Sequence, residues 1–323
     1  MKKREAISNA DFIAMFRAAG GAAEMARQTG MSERVIHNRR RKIEDQERII
    51  LAAYDPTHQD VARGGYERDF PDFQDIKVEE GMVVVFSDSH LIPGYRTTAH
   101  RALLEMLPIY KPAAIIDNGD LMDFPYIAKH QRIGHDKSPM VNKELEWAKR
   151  VLDEIKSKAP GAITRRNQGN HDMRFDGIIA NTLWQMDKVP GTSLADHFPS
   201  WPVAWATKIN GLELVVKHRW KSGLHGPYNN TLWAGCSFAT GHDHNQRVYP
   251  ITDLRGDRWG VDVGTMASVY GPQFRYAEAN PRNWRSGFAV FSFRNGKLLP
   301  PELLTVLDEQ AGSVWFRGQV MHV

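Results

Sequence analysis

The chain has 323 residues, a formal net charge of +4 and a hydrophobic fraction of 42%, which is ordinary for a protein with a substantial core. No apolar run approaches the ~20 residues that a membrane span needs, so we expect no membrane association. The N-terminus is polar and basic and predicts no signal peptide. A single cysteine, Cys236, excludes an internal disulfide framework. These features favour a cytoplasmic protein.

The positive charge is concentrated near the N-terminus. Residues 1–50 hold 11 Lys/Arg and 7 Asp/Glu, so this segment carries the whole net charge. Apolar residues recur there at helical spacing in three runs: Phe12, Met15, Phe16; Ala22, Met25, Ala26; and Ile36, Ile43, Ile50. Glycines separate the runs, at Gly20-Gly21 and at Gly30. The pattern predicts a small all-α domain of three helices.

The second and third predicted helices resemble a helix-turn-helix DNA-binding unit over residues 22–35, with Gly30 at the turn. The third helix is strongly basic, and we expect it to contact DNA phosphates and base edges. Its candidate contact residues are Arg34, His37, Asn38, Arg39, Arg40, Arg41 and Lys42. The alternative is a solvated basic face on a helical bundle that mediates homo-oligomer assembly.

We divide the chain into a helix-turn-helix domain over residues 1–50, a junction over 51–80 and a large domain over 81–323. In the large domain, apolar runs predict strands over 82–86, 113–116 and 212–217, and helical periodicity predicts helices over 101–107 and 142–158. Four later runs, 248–251, 259–263, 288–293 and 313–316, are expected to form a second sheet. This alternation is typical of an α/β fold.

Five polar clusters end or follow apolar runs of the large domain. They are Asp88-Ser89-His90, Gly119-Asp120-Leu121-Met122-Asp123, Gly169-Asn170-His171-Asp172, His218, and Gly241-His242-Asp243-His244. Open α/β sheets bind ligands beyond the carboxyl ends of their strands. Asp120 has two carboxylate oxygens and could bridge two ions. We therefore expect all five clusters to converge on one dinuclear metal centre.

Taken in this order, the clusters resemble the calcineurin-like metallophosphoesterase family. The family pattern is Asp-x-His, Gly-Asp-x-x-Asp, Gly-Asn-His-Asp/Glu, a single His and Gly-His-x-His. The match covers roughly residues 80–320 and leaves the N-terminal segment outside. The resemblance implies a four-layer α/β/β/α sandwich with the site on loops at the strand ends.

The resemblance also implies two sets of metal ligands that share Asp120. One ion would be held by Asp88, His90, Asp120 and His244, and the other by Asp120, Asn170, His218 and His242. His225 competes with His218 for the single-His block, and we favour His218 because it directly ends an apolar strand. We expect two divalent ions, Mn²⁺ first, with Fe and Zn²⁺ as alternatives.

Several neighbouring residues are candidates for catalysis and substrate binding. His171 follows the ligand Asn170 and is the candidate general acid for the leaving group. Asp172 or Asp123 would orient a histidine or support a metal-bound water. Arg174 is a candidate phosphate contact. Arg165 and Arg166 stand where the family has an apolar strand, and they are expected near the substrate entrance.

These residues predict an enzyme that hydrolyses phosphoric esters with metal ions. The basic N-terminal helices favour a DNA phosphodiesterase, that is a nuclease, held on DNA by its helix-turn-helix and expected in a bacterial or phage-infected cell. One alternative is a small-molecule or protein phosphatase whose N-terminal helices mediate assembly. Another is a DNA-binding regulator whose metal site is not catalytic.

Overall fold

A computed structural model describes residues 7–47, 49, 51, 70–129 and 138–323. The chain divides into two compact units, Met1–Asp69 and Phe70–Val323. No helix within the described ranges is both long and apolar enough to cross a membrane. The predicted junction over 51–80 falls mostly on residues 52–69, which lie outside the described residues.

The first unit contains three helices, α1 (Asn9–Ala19), α2 (Ala22–Thr29) and α3 (Glu33–Glu47). The side chain of Ser8 caps α1 by accepting the Asp11 backbone N–H at 3.1 Å. Gly20 and Gly30 end α1 and α2 in the left-handed region. The helices enclose a small core of Phe12, Phe16, Ala22, Met25, Ile36, Ile43 and Leu51. Ile50, the last isoleucine of the predicted stripe, lies outside the described residues.

The second unit is built from fifteen strands among its described residues. They are β1 (Phe73–Ile76), β2 (Gly81–Phe86), β3 (Ala114–Asp117), β4 (Ile163–Asn167), β5 (Val203–Ala204), β6 (Ala206–Ile209), β7 (Leu214–Lys217), β8 (Ser237–Thr240), β9 (Gln246–Asp253), β10 (Gly256–Val263), β11 (Gly287–Arg294), β12 (Lys297–Leu298), β13 (Glu302–Asp308), β14 (Ser313–Phe316) and β15 (Gln319–His322). Its described α-helices are α4 (Thr98–Tyr110), α5 (Val141–Lys158), α6 (Met173–Thr182) and α7 (Gly226–Ala234).

The strands form two sheets. One has nine strands in the order β15-β14-β13-β11-β2-β3-β4-β5, with β12 paired to β11. The other has six strands in the order β1-β6-β7-β8-β10-β9. The first strand, β1, pairs in parallel with β6, so residues 73–76 of the predicted junction belong to this second sheet.

The alternation of side chains along β2 defines the layers. Val84 and Phe86 pack into the cluster that includes α4 and α5, whereas Val83 and Val85 pack into the core between the two sheets. On the far side of the six-stranded sheet, Gly260 of β10 lies against α7, where a Cβ would come 2.5 Å from the Pro227 carbonyl oxygen. The order of layers is therefore helix, sheet, sheet, helix. This confirms the predicted four-layer α/β/β/α sandwich with a small all-α N-terminal region.

The later strands are divided between the sheets, which corrects one prediction. The runs at 248–251 and 259–263 form β9 and β10 of the six-stranded sheet. The runs at 288–293 and 313–316 form β11 and β14, and they join the sheet that contains β2. The assignment of all four runs to a second sheet was wrong because β11 pairs antiparallel with β2, with Val290 opposite Val84.

Candidate metal centre

Parallel pairing brings the predicted clusters to one edge of the sandwich. β2, β3 and β4 are parallel neighbours, so the loops that leave their carboxyl ends lie side by side. In the other sheet, β7 and β8 are also parallel, and they lead into His218 and His242. The loops are joined by backbone hydrogen bonds: the His90 N–H donates to Asp120 O at 3.1 Å, and the Gly241 N–H donates to His218 O at 2.9 Å.

The first group of candidate ligands comprises Asp88, His90 and His244, which are all buried. His244 Nε2 lies 3.2 Å from Asp88 Oδ1 and 3.4 Å from His90 Nε2. Each residue offers one donor atom, and the three atoms lie within 4.8 Å of one another. Carboxylate and imidazole donors at this separation could hold one divalent ion.

The second group comprises Asp120, His218 and His242, with Asn170 beside it. His218 Nε2 lies 3.3 Å from Asp120 Oδ2 and 3.1 Å from Asn170 Oδ1. His218 Nδ1 lies 2.8 Å from the carbonyl oxygen of Asn118. Because a carbonyl oxygen only accepts, Nδ1 carries a proton, and when Nε2 is deprotonated, as a bound metal ion would require, its lone pair faces Asp120 and Asn170. Three electron-pair donors then face one point, which suits a cation.

The two groups are in direct contact. The backbone N–H of His242, from the second group, donates to Asp88 Oδ2 of the first at 2.8 Å. His218 and His242 meet edge to face, with ring centroids 5.3 Å apart. The two candidate ion positions therefore belong to one site. The competing His225 is exposed and stands at the start of α7, so the structure brings His218, and not His225, to Asp120.

The electrostatics of the site are those of a strongly negative pocket. Burial alone would lower the pKa of His218, but the charges of Asp120 and Asp88 raise it to about 10. Burial opposes ionisation of Asp88, yet His218 and His244 lower the pKa of Asp88 to about 2. His218 thus acts as a counter-charge to the carboxylates. Divalent ions bound at the same atoms would take over that role.

The backbone around the site is strained. Five of the candidate ligands have φ in the left-handed region: Asp88, His90, Asp120, His242 and His244. Residues other than glycine adopt this region at a cost, and such strain clusters at functional sites. The neighbouring glycines are required for close approach: a Cβ on Gly169 would lie 2.1 Å from Asp120 N, and a Cβ on Gly241 would lie 2.0 Å from Ser87 Oγ.

His171 and Asp123 form a pair at the rim of the site. His171 Nδ1 lies 2.5 Å from Asp123 Oδ1, and both side chains are about one-fifth exposed, at 19% and 22%. His90 Nδ1 also lies 3.4 Å from the same carboxylate oxygen. Burial would raise the pKa of Asp123, but its hydrogen bonds to His171 and His90 hold that pKa below the usual range. Of the two carboxylates expected to orient a histidine, Asp123 is the one in contact with His171.

Asp172 has a different position from the one expected. It is fully buried and accepts backbone N–H groups: Asp120 N at 2.9 Å, Leu121 N at 3.1 Å and Gly169 N at 3.3 Å. Arg166 Nη2 lies 3.6 Å from its Oδ2. Its described polar contacts are therefore with the backbone of the loops after β3 and β4 and with one arginine, rather than with a histidine.

Arg166 also departs from its predicted place. Its side chain is 1% exposed, its Nε lies 3.1 Å from Asp117 Oδ2, and its guanidinium stacks over the Phe198 ring at 4.8 Å. One buried cation therefore serves two buried carboxylates, Asp117 and Asp172. The expected substrate contact was wrong because the ion pairs hold the side chain inside the protein.

The other two predicted substrate contacts, Arg165 and Arg174, lie in different places. Arg165 is half-buried on β4 and donates to the Thr164 carbonyl oxygen at 2.9 Å. Arg174 lies at the site itself: its Nη2 is 3.2 Å from His171 Nε2, its Nη1 is 3.6 Å from Asp123 Oδ1, and Nη1 also donates to Asp123 O. Among the predicted substrate contacts, Arg174 is therefore the one beside the candidate acid.

The candidate DNA-contacting residues lie on two faces of α3. Arg39 donates to the Ile7 carbonyl oxygen and stacks over the Phe12 ring at 4.9 Å, while Arg40 pairs with Glu44 at 3.4 Å. These two arginines pack onto the helical unit. The remaining five candidates are exposed: Arg34, His37, Asn38, Arg41 and Lys42.

Sequence reasoning missed an aromatic cluster beside the site. Phe274 is buried, and its ring centroid lies 5.3 Å from that of His90 and 5.2 Å from that of His244. Trp284 lies 4.7 Å from His244. The stretch between β10 and β11 that contains these rings has no apolar period or motif, so no signal in the sequence assigned it to the site. Arg166 did carry a signal, since Arg165 and Arg166 stand where the family pattern has an apolar strand.

The similarity of this chain to known proteins is a similarity of three-dimensional structure. No family model matches the chain, and no curated protein matches it. Vps29 from Entamoeba histolytica, solved with Zn²⁺, is 14% identical with a TM-score of 0.41, over 75% of this chain and 98% of that chain.

Two further solved structures are similar at the same level. Pseudomonas putida nuclease MPE is 14% identical with a TM-score of 0.31, over 68% of this chain and 86% of that chain. A dimetal phosphatase from Danio rerio is 10% identical with a TM-score of 0.32, over 71% of this chain and 96% of that chain. Two sheets flanked by helices are consistent with a metallophosphoesterase sandwich, and the His/Asp clusters could bind metal. We assign the residues of the site from their own geometry.

Proposed function

We propose that this protein hydrolyses phosphoric esters with divalent metal ions, and that its substrate is the phosphodiester backbone of DNA. The supporting observation is the direct contact between two metal-competent groups, Asp88–His90–His244 and Asp120–His218–His242, through the hydrogen bond of the His242 N–H to Asp88 Oδ2 at 2.8 Å. Adjacent pairs of this kind suit two-ion chemistry at a phosphoryl group.

In this proposal the two groups each hold one ion, with Asn170 joining the second. When bound, two such ions would supply Lewis-acid stabilisation of the phosphoryl oxygens and increase the acidity of water. The protein orients its donors in advance. The Asn118 carbonyl fixes the tautomer of His218, and the Thr265 hydroxyl donates to the Asp88 carbonyl at 2.6 Å and holds the loop after β2.

His171 is the proposed proton donor to the leaving group. Its Nδ1 is held by Asp123 at 2.5 Å, which fixes the orientation of the ring and leaves Nε2 on the opposite side. Nε2 lies 4.0 Å from Asp120 Oδ2, on the side of the candidate ligands. In the structure Nε2 can only accept from Arg174 Nη2 at 3.2 Å, so the proposal requires Arg174 to turn to the phosphoryl group when an ester binds, which leaves a protonated Nε2 facing the leaving oxygen. Arg174 would contact a phosphoryl oxygen next to it.

The DNA part of the proposal rests on the first unit. Along α3, Arg34, His37, Asn38 and Arg41 follow helical spacing of three and four residues, and all four are exposed. Such a basic helix face could enter the major groove of DNA as the second helix of a helix-turn-helix. Neighbouring Arg39 and Arg40 would hold the helix onto its own core rather than contact DNA.

The test is cleavage of end-labelled single- and double-stranded DNA with added Mn²⁺, with the Asp120→Asn variant as the control for contaminating nuclease. Cleavage that is lost in the variant supports the proposal. If both proteins leave DNA intact while the wild type hydrolyses p-nitrophenyl phosphate, the substrate is a monoester and the alternative phosphatase function holds. If the wild type hydrolyses neither, the enzymatic proposal fails.

DNA binding is tested separately through its salt dependence. Each phosphate contact contributes a slope of roughly −0.9 to log K against log salt. We expect Arg41→Ala to reduce the slope by about one such unit, and Arg27→Ala on α2 to leave it unchanged. Arg27 is a suitable control because it carries the same charge and its side chain is 76% exposed. Equal slopes for both variants would remove α3 from the DNA interface.

A further inference from the structure

The segment between β10 and β11 forms an aromatic cluster against the candidate metal ligands. Phe274 is buried between the rings of His90 and His244, at centroid distances of 5.3 and 5.2 Å. Trp284 closes the cluster from the other end of the segment, 5.0 Å from Phe274. A ring cluster of this kind is a large buried surface that holds the segment beside the site.

Arg282 braces the same segment. Its guanidinium stacks on Trp284 at 5.1 Å, donates to the Phe274 carbonyl oxygen at 3.0 Å, and also donates to the Val269 carbonyl oxygen. It therefore links the beginning, middle and end of the segment. The position of Phe274 and of the residues next to it is consequently well defined relative to the site.

Tyr276 is the exposed end of this cluster. Its ring packs edge to face on Phe274 at 6.3 Å, and 57% of its surface is exposed. Partial burial and then the negative charge of Asp123 raise the pKa of its hydroxyl, with smaller contributions from Asp88 and Asp120 and an opposing one from Arg282. The ring of Phe274 links Tyr276 to His90 and His244 of the candidate metal centre. Tyr276 therefore offers an exposed ring on a segment that is held beside the candidate metal ligands.

We propose, resting on the phosphoesterase function above, that Tyr276 forms a stacking subsite for the planar base of the nucleotide unit attached to the phosphate. The ring of Phe274 separates Tyr276 from His90 and His244. In a nucleotide, a sugar similarly separates the base from its phosphate. Stacking on an aromatic side chain accepts any base, because each base has a π-face. The subsite selects nucleotide esters over esters of simple alcohols.

The experiment compares two ligands that differ only by the nucleoside. Phosphonates are used because their carbon–phosphorus bond is not hydrolysed, which separates binding from turnover. The 5′-phosphonate analogue of thymidine monophosphate and methylphosphonate are titrated into the full-length protein with Mn²⁺, by calorimetry. The proteins are the wild type, Tyr276→Ala, Tyr276→Phe and Tyr270→Ala. Tyr270 is a matched control because it lies on the same segment, 88% exposed and outside the ring cluster.

We expect Tyr276→Ala to weaken binding of the thymidine phosphonate by roughly tenfold or more, as loss of one base stack predicts. Binding of methylphosphonate should be unchanged. Tyr276→Phe keeps the ring and should bind like the wild type, as should Tyr270→Ala. Unchanged affinity for the thymidine phosphonate in Tyr276→Ala would overturn the proposal, and so would an equal loss for both ligands.

Hydrolysis of bis(p-nitrophenyl) phosphate by the wild type distinguishes this inference from the proposed function. Base-dependent binding that requires Tyr276, without any hydrolysis, would support the subsite and overturn the enzymatic proposal. Hydrolysis together with equal affinity for the two phosphonates would leave the enzymatic proposal standing and overturn the subsite.

Discussion

The Asp172 carboxylate accepts the backbone N–H of Asp120 through Oδ2 at 2.9 Å. The last residue of the Gly-Asn-His-Asp block therefore supports the backbone that presents the central carboxylate of the site. The same side chain also accepts the N–H groups of Leu121 and Gly169. Asp172, which the sequence predicted to be a catalytic residue, thus holds the backbone of the Gly119–Asp123 block in position.

Asp172→Asn should destabilise the protein and empty the metal centre. The –NH₂ group of the new amide would face backbone N–H groups, which are also donors. Arg166 would lose one of its two carboxylate partners. Breaking a buried ion pair costs about 3–5 kcal/mol. Urea unfolding measures this loss, and metal analysis after dialysis measures ion content. Asp153→Asn, at an exposed position of α5, is the control, and equal unfolding midpoints for the two variants would contradict the prediction.

Arg166→Met should be more harmful than Arg165→Met, although the two arginines are neighbours on β4. Arg166 is buried between Asp117 and Asp172, whereas Arg165 is half-buried and bonded to a backbone carbonyl. We expect a loss of about 3–5 kcal/mol for Arg166→Met and much less for Arg165→Met. Chemical unfolding of both variants measures the difference, and a similar loss in both would show that the buried charge is not needed.

The loss in Arg166→Met should also grow with pH. Burial raises the pKa of Asp117 to about 7, even though Arg166 opposes the shift. A carboxyl whose pKa is raised on folding makes the folded protein less stable as the pH rises from the carboxyl's unfolded pKa, near 3.9, through its folded pKa. Without Arg166 the folded pKa rises further, so the deficit should be smaller at pH 5 than at pH 8. If the difference in unfolding free energy between the wild type and Arg166→Met is constant over this range, Asp117 does not ionise there.

Gly169→Ala should abolish metal binding and hydrolysis. The new Cβ would lie 2.1 Å from Asp120 N and 2.3 Å from Asp120 Oδ1, so the loops after β3 and β4 would have to separate. Metal content and turnover of a phosphodiester are the measurements. Gly177→Ala is the matched control, because it lies within α6 with open space at the Cβ position. That change should preserve activity and stabilise the helix by up to about 1 kcal/mol. Wild-type metal content in Gly169→Ala would show that the close approach of Gly169 to Asp120 is not needed for metal binding.

His100 should make the protein less stable in mild acid. Burial, with a contribution from Arg96, lowers the pKa of His100 to about 4. A histidine with a lowered folded pKa contributes stability that is complete above about pH 6.5 and is lost as the pH falls toward 4. The shift corresponds to roughly 3 kcal/mol.

The measurement for His100 is unfolding free energy between pH 4 and pH 7. We expect His100→Gln to have a flatter profile than the wild type. His322→Gln, at an exposed position of β15, should follow the wild-type profile. Parallel profiles for wild type and His100→Gln would show that His100 does not titrate in this range.

Much of the fold followed from local patterns. The apolar runs over 82–86 and 113–116 became β2 and β3, and helical periodicity over 142–158 became α5. Strand partners did not follow, because pairing joins residues far apart in the chain. The runs at 288–293 and 313–316 look like the run at 259–263, and their hydrogen-bonding partners alone separate the two sheets.

The sequence by itself determined which residues could carry chemistry. Each candidate ligand stands in a short block at the end of an apolar run, so its residue type and position could be read locally. Tertiary structure alone decided how these residues act on one another. It buried Arg166 between Asp117 and Asp172, and it moved Asp172 from the histidines to the Asp120 backbone. It also placed Phe274 against His90. Each of these outcomes depends on which loops meet at the sheet edge, and that is set by long-range pairing that no local pattern encodes.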